Sequence, residues 1–236
     1  MSIAIVTDST ADLPKDVAEQ HGITVVPLNV RFGLEEFKDG VDIDNDEFYR
    51  RLQVESELPT TSQPSPGDFA ETYRKLLGDN DGIVPVHISG KLSPTINSAV
   101  QGASQADADG TKIKTIDTGQ ATIPLGLIVI EAAKSAASGA DIDGVVDAVE
   151  DAMSRARFYG MVDTLEYLIK GGRIGRAKGF IGGLLKVTPI STLEEGESSP
   201  VASPRTRRKG LEKLKQLVEE AAPFDQLAMH HSTEPE

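Results

Sequence analysis

Apolar residues along this chain fall into two alternating patterns. Nearly continuous β-branched runs at residues 3–7, 24–30, 83–88 and 113–116 are the signature of strands buried on both faces. Between them, helical spacing of apolar positions predicts helices at 11–20, 68–77, 94–106 and 125–138. Strand–helix alternation of this kind predicts a parallel sheet covered on both sides. A further helix at about 142–156 closes this first domain, and the pattern changes from Arg157 onward. The remainder predicts short strands at 186–192 and 226–230, a helix at 206–221 and a Gly/Ser-rich turn at 194–199. The expected organisation is therefore two α/β domains, 1–157 and 158–236. The first is a three-layer parallel-sheet domain, and the second a two-layer α/β domain with a mixed sheet.

Two connections in the first domain carry unusual chemistry. Pro59-Thr60-Thr61-Ser62-Gln63-Pro64-Ser65-Pro66 places four hydroxyls on a proline-stiffened turn that enters a helix, with Ser65 as N-cap, Pro66 at the first helical position and Asp68 three residues beyond the cap. Ile88-Ser89-Gly90-Lys91-Leu92-Ser93-Pro94-Thr95 repeats serine before proline at the next helix start. Helix N-termini present free backbone N–H groups, so a pair of them is expected to cradle an anion. Asp8-Ser9-Thr10, the 89–93 segment and Asp117-Thr118 all follow strand carboxyl ends, where open α/β sheets place ligands.

Composition narrows the chemistry. The 236 residues are 39% hydrophobic, ample for buried cores. There is no cysteine, which excludes thiol redox chemistry, thiolate nucleophiles and disulfides, and favours a cytoplasmic protein. The N-terminus reads as a strand and not as a signal peptide, and the apolar stretch at 123–133 is too short to span a bilayer. A net charge of −13 repels phosphate backbones and anionic membranes, so neither nucleic acid nor stable membrane insertion is expected. Nucleotide-binding loops are excluded too. The glycine-rich segment 171–179 lacks the order G-x-x-x-x-G-K-[ST], and around Gly90-Lys91 the first glycine position holds Pro85 and the Ser/Thr position Leu92. No G-x-S-x-G elbow, H-E-x-x-H pair or metal-spaced His/Asp cluster occurs, and no cofactor is expected.

Thr-Thr-Ser-Gln-Pro-Ser at 60–65 and Leu-Ser-Pro-Thr at 92–95 resemble motifs of the DegV family of bacterial fatty-acid-binding proteins, in which the second usually reads Leu-Ser-Gly-Thr. The resemblance continues through Thr7-Asp8-Ser9-Thr10-Ala11-Asp12-Leu13, through Asp117-Thr118 with Gly126, and through Leu168-Ile169-Lys170-Gly171-Gly172-Arg173-Ile174. It ends with Leu184-Leu185-Lys186-Val187-Thr188-Pro189-Ile190. It implies a long-chain fatty acid held between two α/β domains, with its carboxylate on Thr61, Ser62 and Ser93. His231 is the expected histidine partner, and His230 the rival assignment. Tail-lining candidates are Ile123, Leu125, Leu127, Ile128, Phe180 and Leu184. Family members continue through a further helix and strand where this sequence stops, which implies a shortened second domain.

The same resemblance implies a binding protein of lipid metabolism that is not itself an enzyme. It would present the carboxylate to a separate kinase subunit similar to dihydroxyacetone kinases, for conversion to an acyl phosphate. Docking candidates are Arg173 and the dense basic cluster containing Arg205, Arg207 and Arg208. The alternative is an enzyme acting on a small anionic substrate, a phosphotransferase or hydrolase, with the 60–65 hydroxyls as oxyanion donors or Ser93 as nucleophile.

Overall fold

The structure, a computed structural model, describes residues 1–180 and 188–231. The chain divides into two compact units, Met1–Ala156 with Met229–Glu236, and Arg157–Ala228. Among the described residues no helix is long and apolar enough to cross a membrane.

In the first unit the strands are β1 (Ile3–Asp8), β2 (Ile23–Val26), β3 (Asn29–Phe32), β4 (Glu35–Lys38), β5 (Thr60–Ser62), β6 (Gly82–His87) and β7 (Ile116–Asp117). The helices are α1 (Lys15–Gln20), α2 (Asn45–Val54), α3 (Pro66–Leu77), α4 (Thr95–Ala106), α5 (Thr122–Ala137) and α6 (Ile142–Arg155). Four strands pair in parallel in the order β2-β1-β6-β7, with Ile5 opposite both Ile23 and Val84, and Val86 opposite Ile116. Alternation along β1 and β6 sends Ile3, Ile5, Val84 and Val86 against Leu125, Ile128 and Val129 of α5 and Val145 and Val149 of α6. Val6 and Ile83 face the other way, onto Phe69 and Tyr73 of α3 and Ala99 of α4. Both faces are thus covered, as the continuous apolar runs require.

Two of the differences from the sequence reading in this unit trace to proline. The helix expected over 11–20 is a 3-10 turn at Ser9–Ala11 followed by α1, because Pro14 cannot continue a helix. The run 24–30 is two strands in different sheets, split at Pro27. The 113–116 strand reduces to β7 and a single bridge from Ile113 to Ile83.

A second, antiparallel sheet of order β4-β3-β5 forms a small lobe with α2. Val30, Phe32 and Ile43 are its core, and the Arg51 guanidinium lies 4.4 Å from the centre of the Phe32 ring. The Thr60–Ser62 hydroxyl segment is the outer strand of this sheet, where a stiff turn was expected.

Helices α3 and α4 pack at a glycine seam. A Cβ on Gly102 would stand 2.5 Å from Phe69 Cβ and 2.9 Å from the Pro66 carbonyl oxygen, so α4 crosses the start of α3 at backbone contact.

The second unit contains β8 (Gly160–Met161), α7 (Glu166–Lys170), a 3-10 helix at Gly175–Phe180, β9 (Ile190–Glu194), β10 (Glu197–Ala202) and α8 (Arg207–Glu220). Its described strands are antiparallel throughout, order β10-β9-β8, in place of the mixed sheet expected. Gly175, at φ 49°, brings the 3-10 helix so close to β10 that a Cβ would lie 2.8 Å from the Ser198 carbonyl oxygen. Residues 226–230, expected as a strand, have no regular structure. Leu227 and Met229 occupy alternate positions there, but both are exposed, at 62% and 89%, so the segment lacks the buried face that stabilises a strand.

Candidate functional site

The segment between β6 and α4 is held by hydrogen bonds from nearly every backbone N–H it contains. Ile88 N donates to Asp8 Oδ2 at 3.2 Å, Gly90 N to Asp117 Oδ2 at 3.1 Å, and Lys91 N to Ser89 Oγ at 3.2 Å. Ser89 N donates to the Gln120 carbonyl at 2.8 Å, and Leu92 N and Ser93 N both donate to the Ser89 carbonyl at 3.0 Å. Three strand ends, β1, β6 and β7, are therefore tied to one loop. Because the backbone donors are used internally, the polar group this loop carries into α4 is the Ser93 hydroxyl. Ser93 is 8% exposed.

Ser93 Oγ lies 2.9 Å from Thr95 Oγ1, and Thr95 N approaches it at 3.4 Å. Thr95 is fully buried at the first position of α4, whose N-cap, Pro94, has no side chain to offer. Neither contact of Ser93 is a general base, so these neighbours do not equip it as a nucleophile.

The other expected anion cradle, the start of α3, is answered by the chain's own carboxylate. Ser65 Oγ accepts from Asp68 N at 3.2 Å, while Asp68 Oδ2 accepts from Ser65 N at 2.8 Å and from the Ser65 hydroxyl at 2.7 Å. This capping box, read from Ser65-Pro66 and Asp68 in the sequence, turns Ser65 N, the Ser65 hydroxyl and Asp68 N inward, away from an external anion. The bonds from Ser65 hold the Asp68 carboxyl below the usual range.

Thr61 and Ser62 lie on β5 and are exposed, in contrast to Ser93. Ser62 Oγ accepts from Asn29 Nδ2 at 3.4 Å, and Thr61 stands opposite Val30. His230 and His231 are both exposed; His230 lies close enough to Asp12 to act on its carboxyl, and His231 is the last described residue. Asp12 as a whole is exposed, yet desolvation of its carboxyl is the largest influence and raises its pKa. The hydrogen bond with Thr122 and the attraction of His230 oppose that rise. Asp12 adopts φ 50° and closes the 3-10 turn after β1, which aims it at the start of α5.

Of the residues proposed to line an alkyl chain, Leu125 and Ile128 are packed in the core between sheet and α6, at 0% and 1% exposure. Ile123 and Leu127 are half-buried. Gly126 lets α5 meet the 3-10 turn, since a Cβ there would stand 2.6 Å from the Ala11 carbonyl oxygen. Leu184 and the side chain of Phe180 lie outside the described residues.

The basic candidates all belong to the second unit. Arg205 is exposed, Arg207 pairs with Asp163 at 3.2 Å, Arg208 approaches Glu212 at 3.8 Å, and Arg173 donates to the Gly171 carbonyl at 2.6 Å. Residues 157–228 carry twelve Lys and Arg against nine Asp and Glu, a net +3, which leaves −16 on the rest of the chain. The sequence reading missed this segregation because it took charge over the whole chain. It also missed Thr95, whose burial no sequence pattern announces.

The DegV family model, described as "Uncharacterised protein, DegV family", matches residues 2–236. A DegV domain-containing protein of Streptomyces coelicolor is 39% identical over 238 residues, covering 99% of this chain and 83% of that relative. Among solved structures, one described as fatty acid binding of a DegV family protein from Thermus thermophilus superposes with a TM-score of 0.86 at 36% identity. It covers 94% of this chain and 78% of the other. Another, DegV of Bacillus subtilis, described as a fatty acid binding protein, gives a TM-score of 0.83 at 34% identity, covering 93% and 78%. By its fold, its ordered motifs and its match along almost the whole sequence, the chain belongs to the DegV family.

Proposed function

We propose that this protein binds a long-chain fatty acid through its carboxylate at Ser93, with Thr61, Ser62 and the His230–His231 pair as further head-group contacts. It presents that carboxylate to a separate kinase subunit similar to dihydroxyacetone kinases. The observation that carries the reading is the nearly buried Ser93 hydroxyl, held by a loop whose backbone donors are otherwise engaged. The fatty-acid binding of family members with the same fold supports it.

Two separate tasks are divided between head and tail. At ~0.8 kcal/mol per buried CH₂, a sixteen-carbon chain gains on the order of 10 kcal/mol before association costs. Each neutral donor to the carboxylate adds roughly 1.5–3 kcal/mol. The tail therefore supplies affinity, and hydroxyls set direction without a fixed positive charge that would also attract inorganic anions. Half-buried Ile123 and Leu127 are offered to the tail, and the exposed Arg205, Arg207 and Arg208 to the partner kinase. The cytoplasm, where a kinase finds ATP, is the compartment this role needs.

Native mass spectrometry before and after denaturing extraction tests the reading. One sixteen- or eighteen-carbon acid per chain is expected. A lipid-free protein that also fails to take up added palmitate rules it out.

A further inference from the structure

We propose that Thr95 is a positioning residue for the ligand carboxylate, acting through Ser93: the Thr95 hydroxyl donates to Ser93 Oγ and so leaves the Ser93 proton for the ligand. The inference rests on the carboxylate reading above and adds a residue to it.

Two hydroxyls 2.9 Å apart can share their bond in either direction. Three observations select one. First, Thr95 N can only donate, and its approach to Ser93 Oγ at 3.4 Å already engages one lone pair of that oxygen. Second, a carboxylate is an acceptor without a proton at neutral pH, so Ser93 can serve it only by donating. Were the Ser93 proton spent on Thr95, the serine would offer the carboxylate a lone pair, which repels it. With Thr95 donating instead, both Ser93 lone pairs are satisfied from α4 and its single proton is free. Third, Thr95 is fully buried whereas Ser93 retains 8% exposure, so of the pair Ser93 is the one a ligand can reach.

The chain of donors has a further effect. A hydroxyl that accepts a hydrogen bond becomes a better donor, because successive bonds polarise one another away from water. The geometry is also rigid. Thr95 is β-branched, restricted at χ1, and sits on the first turn of a helix packed against the sheet. The Pro94 ring fixes the backbone between the two hydroxyls.

Titration of the full chain with palmitate, and with hexadecanol as a head group that can itself donate, tests this. Thr95→Val, isosteric but without the hydroxyl, is expected to weaken palmitate binding about tenfold and leave hexadecanol within about twofold. Thr95→Ser restores palmitate binding. In a Ser93→Ala background, adding Thr95→Val changes palmitate affinity less than about twofold, because the effect passes through Ser93. Should the buried valine prevent folding, Thr95→Ala against Thr95→Ser makes the same comparison. Palmitate binding unchanged in Thr95→Val, or an equal loss with and without Ser93, overturns the proposal. Parental binding by Ser93→Ala alone overturns the carboxylate reading itself, and Thr95's role with it.

Discussion

Asp8 and His87, 79 residues apart in sequence, meet side chain to side chain at 2.8 Å with neither exposed to solvent. The same carboxylate accepts from Ile88 N on one oxygen and from the backbone and hydroxyl of Thr10 on the other. Burial by itself raises the Asp8 pKa. The hydrogen bond and attraction of His87, with the bonds from Thr10 and Ile88, outweigh it and hold the carboxyl below its ordinary value.

A carboxyl whose pKa is lower folded than unfolded contributes stability above its unfolded pKa and loses it as pH falls toward the folded one. Asp8→Asn is therefore expected to cost about 1–3 kcal/mol at pH 7, because His87, Thr10 and Ile88 lose a charged buried acceptor. The gap to the parent narrows below about pH 4. Urea unfolding at pH 7 and pH 3 measures both, and a gap equally wide at the two pH values removes Asp8's charge from the account.

Tyr73 offers the opposite case. Its hydroxyl is buried and without a hydrogen-bond partner among the described residues, and burial together with the Asp8 charge pushes its pKa up. Tyr73→Phe deletes an unsatisfied polar group while keeping the ring against Phe69. The variant is expected to be more stable than the parent by about 1 kcal/mol, read as a raised urea midpoint with an unchanged slope. A lower midpoint means that the hydroxyl has a partner in solution.

Ser93→Ala is expected to weaken palmitate binding by roughly 1–3 kcal/mol, and Thr61→Val by less, because an exposed hydroxyl competes with water for the same acceptor. Isothermal titration of both variants decides the order. If Thr61→Val loses more, the exposed strand carries the head group.

Arg207→Glu with Arg208→Glu is expected to slow phosphorylation of bound fatty acid by a cognate kinase while leaving fatty-acid affinity unchanged. Folding should be unaffected or slightly improved. The Arg207–Asp163 pair is exposed and worth less than about 1 kcal/mol, and acidic residues in the first turn of α8 suit its dipole better than arginines do. Unchanged phosphorylation excludes this cluster as the docking surface.

The sequence made some of this architecture legible and hid the rest for physical reasons. Strands β1 and β6 and helices α3, α4 and α5 were readable because burial on two faces, or on one wide face, leaves a strong apolar pattern. Ser65 was readable as a cap because its chemistry is local, spanning three residues. The lobe of β3, β4, β5 and α2 was not, since its strands are short and half-exposed and its core is only Val30, Phe32 and Ile43 with Phe37 and Phe48 beside them. Ser93 was found through its motif. The role argued for Thr95 depends on a contact and a burial that spacing does not encode, and the Asp8–His87 pair on two residues 79 positions apart.

The strand order also sets a timetable for synthesis. β1 is flanked by β2, which follows within a few residues of the first helix, and by β6, which does not exist until the chain has grown past Gly82. At roughly 5–20 residues per second, the 79 positions separating Asp8 from His87 take about 4–16 s to translate. For that interval the nascent chain carries Ile3-Ala4-Ile5-Val6 with one edge unpaired, a stretch able to pair with another strand of its kind. On the ribosome, the buried acid at the end of β1 must also wait for its histidine. The N-terminal unit therefore cannot complete itself as its first strands emerge, and its yield depends on how well that open edge is shielded until β6 arrives.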